Sequence, residues 1–258
     1  MKNLFGHFLV FCILIFLPVS AFAKGDESHK SSVKSKHYPK SRLELEIEQI
    51  KKEMQEMKNQ IRIIAQKTDA ESSEQPSARI DMVQLPSGLK MGKYEVTQGQ
   101  WQAVMGSNPS QFNSCGNACP VEQVSWDDIQ NFIGKLNKLS GHIYRLPTEE
   151  EWYNACQASS PIEYCGSKDI DAVAWFSGNS GNSTHAVGGK QANAYGLYDM
   201  SGNVWEWVDT CYEGDCAKRV FRGGSWYYSP EYLHADYRGW NSSDFRSFLI
   251  GFRLVQDR

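Results

Sequence analysis

Two acidic side chains seven residues apart, Asp199 and Glu206, flank the turn-forming pair Gly202-Asn203 in the run Asn193-Ala-Tyr-Gly-Leu-Tyr-Asp-Met-Ser-Gly-Asn-Val-Trp-Glu-Trp-Val208. Hard divalent cations such as calcium take several oxygens at once, mixing carboxylates with backbone carbonyls freed by a turn. This stretch offers that mixture, with Trp205 and Trp207 to hold it in place. The competing reading is that Asp199 caps a turn and Glu206 pairs with an arginine. A second concentration of chemistry lies downstream. Between Trp226 and Phe248 stand eight aromatics, Trp226, Tyr227, Tyr228, Tyr232, Tyr237, Trp240, Phe245 and Phe248, interleaved with Ser, Asp, Asn, His and Gly. Tyr and Trp separated by small polar residues give rigid contact area with adaptable hydrogen bonding, as in a paratope. Tyr227, Tyr228, Tyr232, His234, Tyr237, Trp240, Asn241 and Phe245 are therefore the expected ligand-binding residues, and Trp226 is expected in the core.

The elements that must carry these residues begin at Ala78. Ile80–Leu85 and Leu89–Val96 read as strands separated by Pro86-Ser-Gly88. Thr97 is an N-cap for a helix over Gln98–Met105. Ser125 caps a second helix over Trp126–Lys138, whose Ile129, Phe132, Ile133 and Leu136 have helical spacing. Thr148 and Glu151 form a capping box that opens a third helix. Beyond Cys165 the chain reads as short strands, turns and loops.

Upstream, Leu43, Ile47, Ile50, Met54, Met57, Ile61 and Ile64 repeat at alternating steps of four and three, a heptad seam. Residues 42–67 are expected to self-associate as a coiled coil, and Ile at both seam positions leans toward trimers. The alternative is one amphipathic helix packed on its own domain. Residues 68–77, with Pro76, read as a linker. Residues 24–41 are rich in Lys, Ser and His and expected to be disordered. Lys2, the apolar run Leu9–Leu17 and Ala21-Phe-Ala23 read as a cleaved signal peptide over residues 1–23, after which no membrane span is expected.

That export fits the cysteines. Cys115, Cys119, Cys156, Cys165, Cys211 and Cys216 remain after cleavage, an even count that reads as disulfides in an oxidising compartment. Six cysteines permit 15 connectivities; sequence proximity favours three local pairs, with separations of 4, 9 and 5 residues. A net charge of −3 and the lack of a long basic stripe argue against nucleic acid as a partner.

Several blocks together resemble the formylglycine-generating enzyme, or sulfatase-modifying factor, family. They are Tyr94-Glu-Val-Thr97, Gly106-Ser-Asn-Pro-Ser110, Pro120-Val-Glu-Gln-Val-Ser-Trp126, Arg145-Leu-Pro-Thr148, the Asn193–Val208 run, Arg222-Gly-Gly-Ser-Trp226 and Gly251-Phe-Arg-Leu254. The resemblance covers residues 78–258 and implies an α+β fold, a variant of the C-type lectin fold. It implies calcium held at Asp199, Gly202, Val204 and Glu206, two of them through backbone oxygen. The resembled enzymes oxidise a substrate cysteine with copper on two cysteines after the Gly-Gly-Ser; here those positions hold Tyr228 and Leu233. Neither can bind copper(I), which favours soft thiolates, so neither copper nor haem is expected. The resemblance also extends to the variable proteins of diversity-generating retroelements, which diversify a C-terminal stretch between such framing residues. The expectation is thus a periplasmic or secreted binding protein on an oligomeric stalk, with an unknown protein or small-molecule ligand. The alternative is an oxidoreductase or maturation factor working through other residues.

Overall fold

The computed structural model describes residues 41–72 and 78–257. The signal peptide expected at 1–23, the polar segment at 24–40 and residues 73–77 of the expected linker lie outside them. Helix α1 runs Arg42–Ser72, five residues past the expected end of the coiled coil. Thr68-Asp-Ala-Glu-Ser72 contains neither Gly nor Pro, so no breaker stops the helix there.

In the domain beyond it, β1 (Met82–Gln84) and β2 (Lys90–Gly92) form an antiparallel hairpin. Both are shorter than the sequence implies: the hairpin register ends with Lys93 N donating to Asp81 O, and beyond it Val96 N turns to Phe252 O. Then come α2 (Gln98–Met105), α3 (Trp126–Ser140), β3 (Tyr144–Arg145), α4 (Glu149–Gln157) and the short α5 (Ile170–Val173). Thr97, Ser125 and Thr148 each cap a helix through a complete capping box, with Gln100, Asp128 and Glu151 reaching back. The helix α3 outlasts its expected end by two residues and closes at Gly141, whose φ of +70° suits a left-handed cap.

Two long strands follow, β4 (Trp205–Tyr212) and β5 (Asp215–Arg222), then β6 (Arg238–Ser242), β7 (Ile250–Gly251) and β8 (Val255–Gln256). One sheet has the order β1-β2-β8-β3 and the other β6-β5-β4-β7, with β7 parallel to β4. In the main core Trp101 stacks on Phe132 at 5.0 Å, and Phe252 meets both rings edge-on. Local disulfides pair Cys115 with Cys119, Cys156 with Cys165 and Cys211 with Cys216. Among the described residues no helix is long and apolar enough to cross a membrane.

Candidate functional site

The aromatic stretch leaves β5 through Gly223 and Gly224, at φ +99° and +78°. Only glycine fits the second position comfortably: a Cβ on Gly224 would lie 2.5 Å from Leu233 Cγ. This tight turn buries Leu233 completely and seats Trp226 in the interior, where its N–H donates to Asn203 O at 2.8 Å. Pro230–Leu233 forms a single 3₁₀ turn, so the tyrosines project from a short, constrained loop.

Four of them make a continuous ladder. Ring centroids are 5.8 Å apart for Tyr227 and Tyr228, 5.0 Å for Tyr228 and Tyr232, and 5.1 Å for Tyr232 and Tyr237. Trp205 of β4 backs the ladder at 5.7 Å from Tyr228 and 5.9 Å from Tyr237. Tyr227 is 59% exposed and Tyr237 38%, while Tyr228 and Tyr232 are half-buried. Burial raises the Tyr228 phenol above its usual range, and the neighbouring phenols of Tyr237, Tyr232 and Tyr227 push it the same way. These rings touch each other edge-on or tilted, so they form a surface and not a cage around an empty centre.

The remaining expected residues do not all join them. Along β6 the side chains alternate, so Trp240 points opposite to Gly239 and Asn241. Gly239 faces Phe221, whose ring packs on Trp205, whereas Trp240 opposes Val220 and stacks on Tyr212 at 4.7 Å. Trp240 therefore belongs to the other face of the sheet. Asn241 spends its Oδ1 on Ser242 N at 2.9 Å. Phe245 lies in the turn after β6, where its N–H donates to Ser242 O. His234 sits beside Tyr164 and 3.3 Å from a Glu163 oxygen, lining a cleft with Tyr153, Lys168 and Asp236. Sequence reading missed Phe112, which meets Trp226 edge-on at 5.2 Å and Phe248 at 6.2 Å beside Tyr227. Its position 114 residues upstream of Trp226 offers no local signal.

The acidic run has a different environment from the one its spacing implies. Glu206 is buried, and Arg253 grips it with Nη2 to Oε1 at 2.6 Å and Nε to Oε2 at 2.7 Å. Trp152 Nε1 adds a third bond to Oε2 at 2.6 Å. Glu95, another residue the sequence reading did not assign, accepts from Asn203 Nδ2 and from Val204 N at 3.0 Å. Asp199 accepts from Gly188 N through Oδ2, but its Oδ1 is buried without a partner. Burial, followed by the charges of Asp199 and Glu206, drives the Glu95 carboxyl well above its normal range. Asp199 is pushed up to about 6, chiefly by burial. Against a calcium ion the fit divides. The orphaned Asp199 oxygen suits a cation, but Glu206 is already saturated by Arg253 and Trp152. Among the described residues no set of three or more His, Cys, Asp or Glu side chains converges as a metal site.

At the two positions where the resembled enzymes carry copper-binding cysteines, Tyr228 lies in the ladder and Leu233 is enclosed beneath Gly224. The six described cysteines are paired as disulfides.

The sequence matches the sulfatase-modifying factor enzyme 1-like domain over residues 47–258. The chain belongs to this family. It is 32% identical over 229 residues to the chaperone protein LppX of Paenibacillus barcinonensis, covering 67% of this chain and 81% of that protein. Against the inactive C-alpha-formylglycine-generating enzyme 2 of Bos taurus it is 30% identical over 163 residues, 53% of this chain but only 50% of that protein. The solved structure of variable protein 1 from Treponema denticola superposes with a TM-score of 0.61 at 30% identity, covering 66% of this chain and 84% of that one. The α+β, formylglycine-enzyme-like variant of the lectin fold expected from the motifs is the fold observed.

Proposed function

We propose that this sulfatase-modifying-factor-family chain is an exported binding protein that recognises its ligand through Tyr227, Tyr228, Tyr232 and Tyr237. The observation that carries the reading is that the positions the resemblance assigns to the thiol pair hold the half-buried Tyr228 of the ladder and the fully buried Leu233. A hydrophobic plug and a phenol ladder cannot hold copper(I), but phenols on a rigid turn are good contact residues. The 30% identity to a solved variable protein supports recognition as the role, and supports diversification of residues 222–253 as its source. Three disulfides, with the signal peptide expected over residues 1–23, support the periplasm or the exterior as the location.

The test compares the wild type with Tyr227→Ala/Tyr237→Ala on an array of surface proteins and glycans. Any wild-type hit should weaken at least ten-fold while the melting temperature stays unchanged. Binding that survives the double substitution sinks the assignment of this face. Formylglycine formed from a Cys-x-Pro-x-Arg peptide with copper would instead establish an oxidase. Calcium belongs to the same proposal as a structural ion held by the free Asp199 oxygen and the backbone of Gly202 and Val204, with Glu206 left to Arg253. Excess chelator should then lower the melting temperature and Asp199→Asn should remove that response; identical melting curves would refute a bound cation.

A further inference from the structure

We propose that α1 docks on a second copy of itself in parallel, in-register alignment, and that its charges select that polarity. The seam residues Leu43, Ile47, Ile50, Met54, Met57 and Ile61 are 43–66% exposed on the helix. Apart from Leu45 at f, 55% exposed, the exposed large apolar side chains of the helix fall at two positions of seven, a stripe too narrow for a globular core and suited to a coiled-coil seam. The spacing makes Ile47, Met54 and Ile61 the a positions and Leu43, Ile50 and Met57 the d positions.

This register places Glu46 and Glu53 at g, with Lys51 and Lys58 at e. In a parallel coil each g residue faces the e residue five places further along its partner. Glu46 therefore meets Lys51 of the second copy, and Glu53 meets its Lys58. An antiparallel coil sets g against g and e against e; centred on this segment it would oppose Glu53 to Glu53 and Lys51 to Lys51, pair Glu46 with neutral Gln60, and gain only the Glu44–Lys58 attraction. Within one helix Arg42 bonds Glu46 at 3.0 Å and Gln49 bonds Glu53 at 2.7 Å. Exposed contacts of this kind contribute only tenths of a kcal/mol and leave both carboxylates able to turn to a partner. The occupant of the apolar stripe is thus this chain's own helix, aligned head to head. The inference is independent of the tyrosine face.

Sedimentation of the full chain should show a dimer or trimer. Glu46→Lys with Glu53→Lys should weaken assembly about ten-fold, since attraction becomes repulsion at four sites in a dimer or at two between each neighbouring pair of helices in a trimer. Adding Lys51→Glu and Lys58→Glu to that variant should restore it. Leu43→Cys should cross-link between copies on mild oxidation, because only a parallel in-register pair brings residue 43 against itself. A monomeric wild type would overturn the proposal. So would unchanged or tighter assembly in the double variant, or a Leu43→Cys protein that assembles without cross-linking.

Discussion

Arg253 has no solvent exposure and reaches four acceptors: both Glu206 oxygens, Gly92 O at 3.1 Å and Tyr198 O at 2.8 Å. Removing one partner of a buried pair leaves the other charged and dry, at a cost of about 3–5 kcal/mol. Arg253→Ala should lose stability in that range by urea denaturation; a loss under about 1 kcal/mol would mean that the buried pair is not what holds this part of the fold. Glu122 gives a second prediction. Its carboxylate accepts from Phe112 N at 2.8 Å and Gln111 N at 3.0 Å, yet burial pushes its pKa up from 4.5 to about 7. A folded pKa above the unfolded one means that folding binds a proton. The stabilisation is complete below about pH 4.5 and is lost as pH rises through about 7. Melting temperature should fall across that window, and Glu122→Gln should flatten part of the slope. A variant as steep as the wild type would assign the slope elsewhere, with Glu95 and Asp199 acting in the same sense.

At the scale of elements, the β4–β5 hairpin has the Cys211–Cys216 staple close to its turn. A loop that short restricts the unfolded chain modestly, about 2 kcal/mol on the chain-entropy model. Replacing both cysteines with serine should therefore cost about that much in guanidinium and leave the tyrosine ladder intact. Replacing Cys156 and Cys165 with serine should cost more, because both are buried in a core beside Trp152 and Met200. The helices were legible in the sequence because their signals are local: Thr97, Ser125 and Thr148 each find their capping partner three residues on. The ladder was legible for the same reason, since dense tyrosines around a double glycine advertise a surface. What could not be read depends on pairing across the chain. Whether Trp240 joins Tyr237 is set by which face β6 turns toward β5. The bond from Asn203 to Glu95 spans 108 residues, and the identity of Glu206's partner required knowing where Arg253 lies. The short strands were overextended because their ends are fixed by partners such as Phe252.

For the molecule as a whole, the last strand among the described residues is not at an edge. β8 lies between β2 and β3, and just before it Phe252 and Arg253 complete the aromatic core and the buried charge network. Pairings so distant in sequence are slow to form, because loop closure must come first. A chain ending before Phe252 should therefore be unfolded by near-ultraviolet circular dichroism and sensitive to protease; a cooperative melt from it would show that the earlier elements suffice. For a chain threaded through a membrane pore from its amino end, this order of assembly has a practical effect. Until the carboxyl end is delivered the domain has no finished sheet to jam the channel, and its cysteines meet oxidant before they are shielded. If the chain is exported as proposed above, the placement of one two-residue strand would defer folding to the far side.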